Sequence, residues 1–176
     1  MATNLKIILM QKIIIKSIAS NFMSISGYAS VFNILDKQGD LILNGAFSED
    51  ISTKASSVKF LWQHNPSNPI GVIKSLSVDS YGLFMEADIN LSTNLGQEAA
   101  ELVKQGALDS LSIGFISKEA SFNQDGHREI KSIDLLEISI VTFPANPKAQ
   151  INSIIPKQLE LFSLNLDILT KKIQTL

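Results

Sequence analysis

Cysteine is absent from the 176 residues, and that gap removes thiol nucleophiles, disulfides and thiolate metal sites together. A disulfide-stapled secreted domain is disfavoured for the same reason. Histidine is scarce: His64 and His127 are the two in the chain, so a mechanism that needs an imidazole must use one of them. Two distant histidines without a His-Glu-x-x-His helix give no metal site, and no cofactor is expected. Arginine occurs once, as Arg128, among 15 Lys and Arg residues, and no basic run stands out. Binding to nucleic acid through phosphate contacts is therefore not expected. A long uninterrupted apolar run is missing as well. The Ile- and Leu-rich stretch from Leu5 to Ile18 is broken by Lys6, Gln11, Lys12 and Lys16, and no small-x-small cleavage pattern follows it. It reads as a β-strand rather than a signal peptide, and it is too short to cross a bilayer. What remains is a globular composition, 45% hydrophobic and 18% charged with a net charge of −2. The length fits one domain, or one domain plus an appendage.

Most of the chain reads as strands: short β-branched runs bounded by turn residues. These are Lys12–Ile18, Met23–Phe32 with a bend or bulge at Gly27, Val58–Trp62, Ile70–Val78 and Leu83–Leu91. Ser110–Ser117 and Arg128–Ile133 flank the Asn123–Gly126 turn as a hairpin, and Leu135–Phe143 forms a further strand that stops at Pro144. A loop is expected from Asn65-Pro66 to Pro69, and a turn over Asp36–Asp40. Helices are fewer. One starts at Thr93 or Asn94 and ends before Gly106, with Leu95, Ala99, Leu102 and Val103 on one face. A shorter one covers Ala46–Lys54 with Phe47 and Ile51 inward. After Pro156, Leu159, Phe162, Leu166, Leu169, Ile173 and Leu176 recur at alternating spacings of three and four, a coiled-coil-type seam. Such a stripe needs a partner, and a homo-oligomer (dimer or higher) is expected; a second stripe at Leu161, Leu164 and Ile168 leaves room for packing on the parent domain too. The fold class is mainly β with helices (α+β), a closed or nearly closed barrel with helices outside it.

Three positions stand out chemically. In Ser110–Phe115, alternation puts Leu111, Ile113 and Phe115 on one face and Ser110, Ser112 and Gly114 on the other. The small row either leaves a trough for an extended chain, with Ser112 able to act as a nucleophile, or packs beneath a helix. Glu137 is the one acid in the apolar run Leu135–Val141. A buried carboxylate costs several kcal/mol unless paired, so it has an imidazole or a lysine for partner, or it faces water on an edge strand. His64 ends the Val58–Gln63 run and can lean over a neighbouring strand, or it is a solvated loop residue; His127, beside Asp125-Gly126, is expected to be exposed. Together they suggest a Ser–His–acid set, because serine needs an adjacent base and the base needs an acceptor on its far nitrogen.

An ordered series of segments then carries a resemblance. Gly27–Asn33, Asp36–Asp40, Asn44–Phe47, His64 with Ile70-Gly71, and Tyr81–Leu83 come first. Gly106–Leu108, Leu111–Phe115, Leu136–Thr142, Pro144–Pro147 and Ala149 follow. Over roughly residues 25 to 150 the chain resembles the HK97-type prohead (capsid maturation) proteases of tailed bacteriophages. The resemblance implies a herpesvirus-protease-like closed β-barrel in residues 1–155, with residues 156–176 as a C-terminal amphipathic helix for packing or oligomerisation. It implies a serine endopeptidase that cleaves scaffold or capsid-precursor segments, and possibly itself, inside the assembling prohead in the bacterial cytoplasm. The family's His and Ser map onto His64 and Ser112, and Glu137 is taken as the third member in place of the second His of the herpesvirus enzymes. Those relatives also use an Arg near the oxyanion; here backbone N–H groups near Ser112 and after Glu137 are expected instead. A non-catalytic capsid-assembly or scaffold partner that kept the barrel is the competing reading. A small-ligand-binding barrel is a third, which the ordered motifs disfavour.

Overall fold

Strand β7, Arg128–Val141, organises the fold, because three other strands lie along it. The computed structural model describes residues 21–155. Within them β1 is Phe22–Val31, β2 Asp40–Ile42, β3 Lys59–Trp62, β4 Asn65–Val78, β5 Gly82–Asn90, β6 Ser110–Phe122 and β8 Gln150–Ile155, with one α-helix, α1, at Asn94–Lys104. The strand order β7-β3-β4-β5-β1-β8-β6 returns to β7 through the β6–β7 pairing, so seven strands close a barrel. The short β2 is appended to β7 in parallel, Asp40 opposite Arg128. Among the described residues no helix is long and apolar enough to cross a membrane. The expected strand at Lys12–Ile18 and the expected helix after Pro156 lie outside the described residues.

The core is the barrel interior, where Ile25, Phe60, Ile70, Leu83, Met85, Ile89, Leu111, Ile138 and Ile140 have essentially no exposed surface. Each such side chain contributes about 1.5–3 kcal/mol on burial. Helix α1 packs on β4 and β5. Thr93 Oγ1 accepts from Gly96 N–H at 3.1 Å at its start. At its end Gly106 has φ +72°, with Gly106 N–H bonded to Val103 O and Ala107 N–H to Leu102 O, a Schellman motif. Its buried face is Gly96, Ala99, Ala100 and Val103, with Leu95 and Leu102 only half-covered. Of the expected face, Ala99 and Val103 are buried, and the helix is rotated so that Gly96 and Ala100 join them in place of Leu95 and Leu102.

Closure between β6 and β8 is confined to one end. Ser110 pairs with Gln150, Leu111 N–H bonds Ala149 O, and Ile151 N–H bonds Asp109 O. Beyond Leu111 that edge of β6 has no strand partner among the described residues. Backbone groups alternate along a strand, so those of Ile113 face the same open side as those of Leu111.

Several expected boundaries move. Arg128–Ile133 and Leu135–Phe143 are one strand, not two. The Asn65–Pro69 loop is instead the start of β4, because the chain reverses already at Gln63-His64. The Ala46–Lys54 helix shrinks to a 3₁₀ turn at Ile51–Lys54, although Phe47 and Ile51 are buried as expected. β-Branched Ile51 and Thr53 disfavour a longer helix, and the Thr53 hydroxyl bonds Asp50 O. β2 and β8 were not expected.

Candidate active site

His64 is positioned by a turn that works against residue preference. β3 and β4 are joined by two residues, Gln63 and His64, with Trp62 opposite Asn65. Both have positive φ, 53° and 59°. Two-residue hairpins need this geometry and normally take it from Asn-Gly; non-glycine residues there cost about 1 kcal/mol or more each. The turn is tied down on β7. Gln63 N–H bonds Ile140 O at 3.0 Å. The Gln63 amide closes a reciprocal pair with Thr142, donating to its hydroxyl at 2.9 Å and accepting from its N–H at 3.1 Å. His64 N–H donates to Ser139 Oγ at 3.1 Å.

The outer face of the β6–β7 pair supplies the rest. Ile138, Ile140 and Leu111 point into the core, so Glu137, Ser139 and Ser112 lie on the opposite face. Ser112 stands directly across from Ser139, and Gly114 across from Glu137. Glu137 Oε1 lies 2.6 Å from His64 Nδ1, and its Oε2 accepts from the Ser139 hydroxyl at 2.6 Å. The carboxylate crosses the space where Gly114 would carry a side chain: a Cβ there would be 2.2 Å from Oε1 and 2.9 Å from both Cγ and Cδ. The Glu137 side chain is only 12% exposed and that of His64 43%. The partner that a carboxylate in this apolar strand requires is thus the imidazole, not a lysine or bulk water.

Ser112, 5% exposed, and His64 line one pocket of about 540 Å³ in the mouth between β6 and β1. Among the described residues the Ser112 hydroxyl makes no hydrogen bond. The Ser110–Gly114 row is more enclosed than the shallow trough expected, and Ser110 Oγ is bonded to Asp109. Phe143, 83% exposed, stands at the rim, and the buried Ser30 hydroxyl, also lining the pocket, has no hydrogen-bond partner among the described residues. Arg128 reaches this pocket from the far end of β7. It grips the buried Asp40 with two bonds, Nε to Oδ1 at 2.7 Å and Nη2 to Oδ2. The hydrogen bond to Asp40, strengthened by its charge, raises the guanidinium above its ordinary pKa. His127 is half-buried rather than exposed, sits in the β6–β7 turn, and does not line the pocket. No cluster of metal-ligating side chains occurs among the described residues.

Ser139 and Gln63 are the residues holding this site that the sequence reading passed over, while Arg128, there set aside as an oxyanion residue, does line the pocket. A signal existed for Ser139: with Glu137 it makes a second polar residue at period two inside an apolar strand.

Residues 11–163 match the family of caudovirus prohead serine proteases. The prohead protease of Enterobacteria phage HK97 is 34% identical over 128 residues, 71% of this chain and 57% of that protein. The prohead protease of Escherichia phage T5 is 30% identical over 145 residues, 78% of this chain and 68% of the relative. This chain therefore spans little more than half the length of the HK97 protein. The bacteriophage T4 capsid assembly protease superposes with a TM-score of 0.50 at 10% identity, over 67% of this chain and 82% of that one. At that identity the likeness is one of fold.

Proposed function

The chain belongs to the caudovirus prohead serine proteases, and we propose that it is an endopeptidase with Ser112 as nucleophile, His64 as general base and Glu137 as the acceptor that orients the imidazole. The observation that carries this reading is the 2.6 Å contact between His64 Nδ1 and Glu137 Oε1 beside the pocket that Ser112 lines. An imidazole that donates from Nδ1 to a carboxylate keeps its Nε2 lone pair as acceptor. Ser112 Oγ attacks the scissile carbonyl carbon, and its proton passes to Nε2. The tetrahedral oxyanion is held by backbone N–H groups on the open edge of β6 beside Ser112, such as that of Ile113, because those directly after Glu137 are taken up by β3, β6 and Gln63. The C–N bond breaks as the amine takes the proton from Nε2, and water repeats the sequence on the acyl-serine. The Glu137 carboxylate stabilises the imidazolium. The Ser–His hydrogen bond forms when substrate fills the pocket, as is common where it is open in the free enzyme.

The substrate is an extended segment of a capsid precursor or scaffold protein, cleaved inside the assembling prohead, with the chain itself a second target. The open edge of β6 supports this, since an extended peptide can add there as a strand. Self-association through the seam from Leu159 to Leu176 belongs to the same reading: an enzyme that pairs is active only where it is concentrated.

Fluorophosphonate labelling tests the assignment. Wild-type protein is expected to label on Ser112, and Ser112→Ala not at all. Equal labelling of both would overturn it, and no labelling of either would favour a non-catalytic capsid-assembly partner. Co-expression with a capsid precursor, followed by N-terminal sequencing of the fragments, identifies the substrate. Sedimentation of the full chain against one ending at Ile155 decides the pairing; a monomeric full chain at high micromolar concentration would exclude it.

A further inference from the structure

Ser139 has no exposed surface, yet its hydroxyl is bonded to both His64 and Glu137. It donates its proton to Glu137 Oε2 at 2.6 Å and accepts the backbone N–H of His64 at 3.1 Å. A hydroxyl has one donor and two acceptor sites, so one orientation satisfies both bonds. We propose that Ser139 is a positioning residue for the Ser112–His64–Glu137 set, holding the carboxylate and the imidazole-bearing backbone in a single frame. The proposal rests on the catalytic reading above.

Two features of the site require such a frame. The first is the freedom of a glutamate, whose carboxylate turns easily about its last torsion. Fixing Oε2 fixes the direction in which Oε1 meets Nδ1. The second is the strained turn. His64 has φ 59° after Gln63 at 53°, and a non-glycine pair persists there only when its surroundings over-determine it. The acceptor for the His64 N–H is the Ser139 hydroxyl, so removing that one oxygen frees the backbone and the acid together. Packing alone gives no reason for serine here, because alanine would fill the same space in the strand.

The test measures phosphonylation by a fluorophosphonate, in which the Oγ–P bond forms, the P–F bond breaks, fluoride leaves and the serine proton passes to the base. Saturation kinetics separate the maximal rate from the half-saturating concentration. Ser139→Ala is expected to lower the maximal rate tenfold to a hundredfold and to leave half-saturation within twofold. Ser139→Thr, which retains the hydroxyl, is expected to recover most of the rate. Ser139→Cys keeps the volume with a poor donor and is expected to follow alanine, which covers the case in which alanine misfolds. A second readout needs no turnover. The chain has two histidines, so with ¹⁵N-labelled histidine the Nδ1–H signal of His64 is identified by its survival in His127→Ala. That signal is expected to shift or broaden in Ser139→Ala and to return in Ser139→Thr. In a Glu137→Gln background, Ser139→Ala should cost little more. A Ser139→Ala protein with a wild-type phosphonylation rate and an unmoved ring proton overturns the proposal, even if Ser112→Ala is inactive. If Ser112→Ala still reacts, the catalytic reading fails instead, and the ring-proton signal still decides whether Ser139 sets the imidazole.

Discussion

Adding one methyl group at Gly114 is the sharpest perturbation of this site, because it acts on a single contact. Gly114 faces Glu137 across β6–β7, and an alanine Cβ there would meet Oε1 at 2.2 Å. Ordinary contact lies near 3.5 Å, so the carboxylate oxygen must retreat by about 1 Å. It is the same oxygen that stands 2.6 Å from His64 Nδ1. The three atoms nearest to that Cβ all belong to the Glu137 side chain, so the side chain is expected to give way before the backbone does. A hydrogen bond to a charged group contributes about 1.5–3 kcal/mol, which corresponds to roughly a tenfold to hundredfold loss of rate if it is spent on orienting the base. A misplacement of about 1 Å in a catalytic set costs a similar factor, about a hundredfold. Stability should move little: alanine in a strand gains about 0.5–1 kcal/mol over glycine, which opposes the residual crowding. Phosphonylation by a fluorophosphonate and urea unfolding measured on the same protein separate the two effects. Gly114→Ala with an intact fold and a wild-type phosphonylation rate would refute the reasoning, since the acid would then be displaced without consequence.

Ser112→Ala and His64→Ala are expected to abolish cleavage to a similar degree, and the double variant to be little worse, because members of one nucleophilic unit are not additive; His127→Ala, measured alongside, should be silent. Arg128→Ala strands the buried Asp40 carboxylate and should cost about 2–4 kcal/mol in urea unfolding, whereas Arg128→Lys, unable to form the two-pronged bond, should recover only part of it. Asp79 is held below the usual carboxylate range by the Tyr28 hydroxyl first and then by the N–H groups of Gly82 and Tyr81. Its folded pKa is the lower one, so its stabilisation is present above the unfolded value and is lost as pH falls through the folded one; an NMR titration of Tyr28→Phe should show Asp79 rising, and an unchanged value would exclude the hydroxyl as the cause. Leu135 is buried and Leu136 is 47% exposed, so thermal unfolding should show Leu135→Ala costing about 2–4 kcal/mol and Leu136→Ala within about 0.5 kcal/mol.

That last contrast bears on what could be read from the sequence alone. The β-rich barrel was legible because most of its strands keep a period-two pattern between turn residues, and the lone acid in Leu135–Val141 announced that a partner had to exist. The continuity of β7 was not legible, for a geometric reason. Its inward residues Ile130, Ile133, Leu135, Ile138 and Ile140 advance by three, two, three and two. Each step of three coincides with a break in the β6–β7 register, around Ser117–Ala120 and between Gly114 and Phe115. A reader who demands unbroken alternation must cut the strand in two. The second break has the larger consequence. Leu135 and Glu137 have the same parity, and in a regular strand both would face the core. The extra residue at Leu136 bulges outward instead, so Leu135 fills the barrel while Glu137 emerges on the outer face in phase with Ser139. Bulges commonly re-aim a side chain beside a site, and here that shift separates a buried, unpaired carboxylate from one that meets His64. Ser139 was missed for a related reason. Its two hydrogen bonds go to a neighbour two residues away and to a turn 75 positions earlier in the chain, and only the parallel pairing of β3 with β7 brings that turn to it.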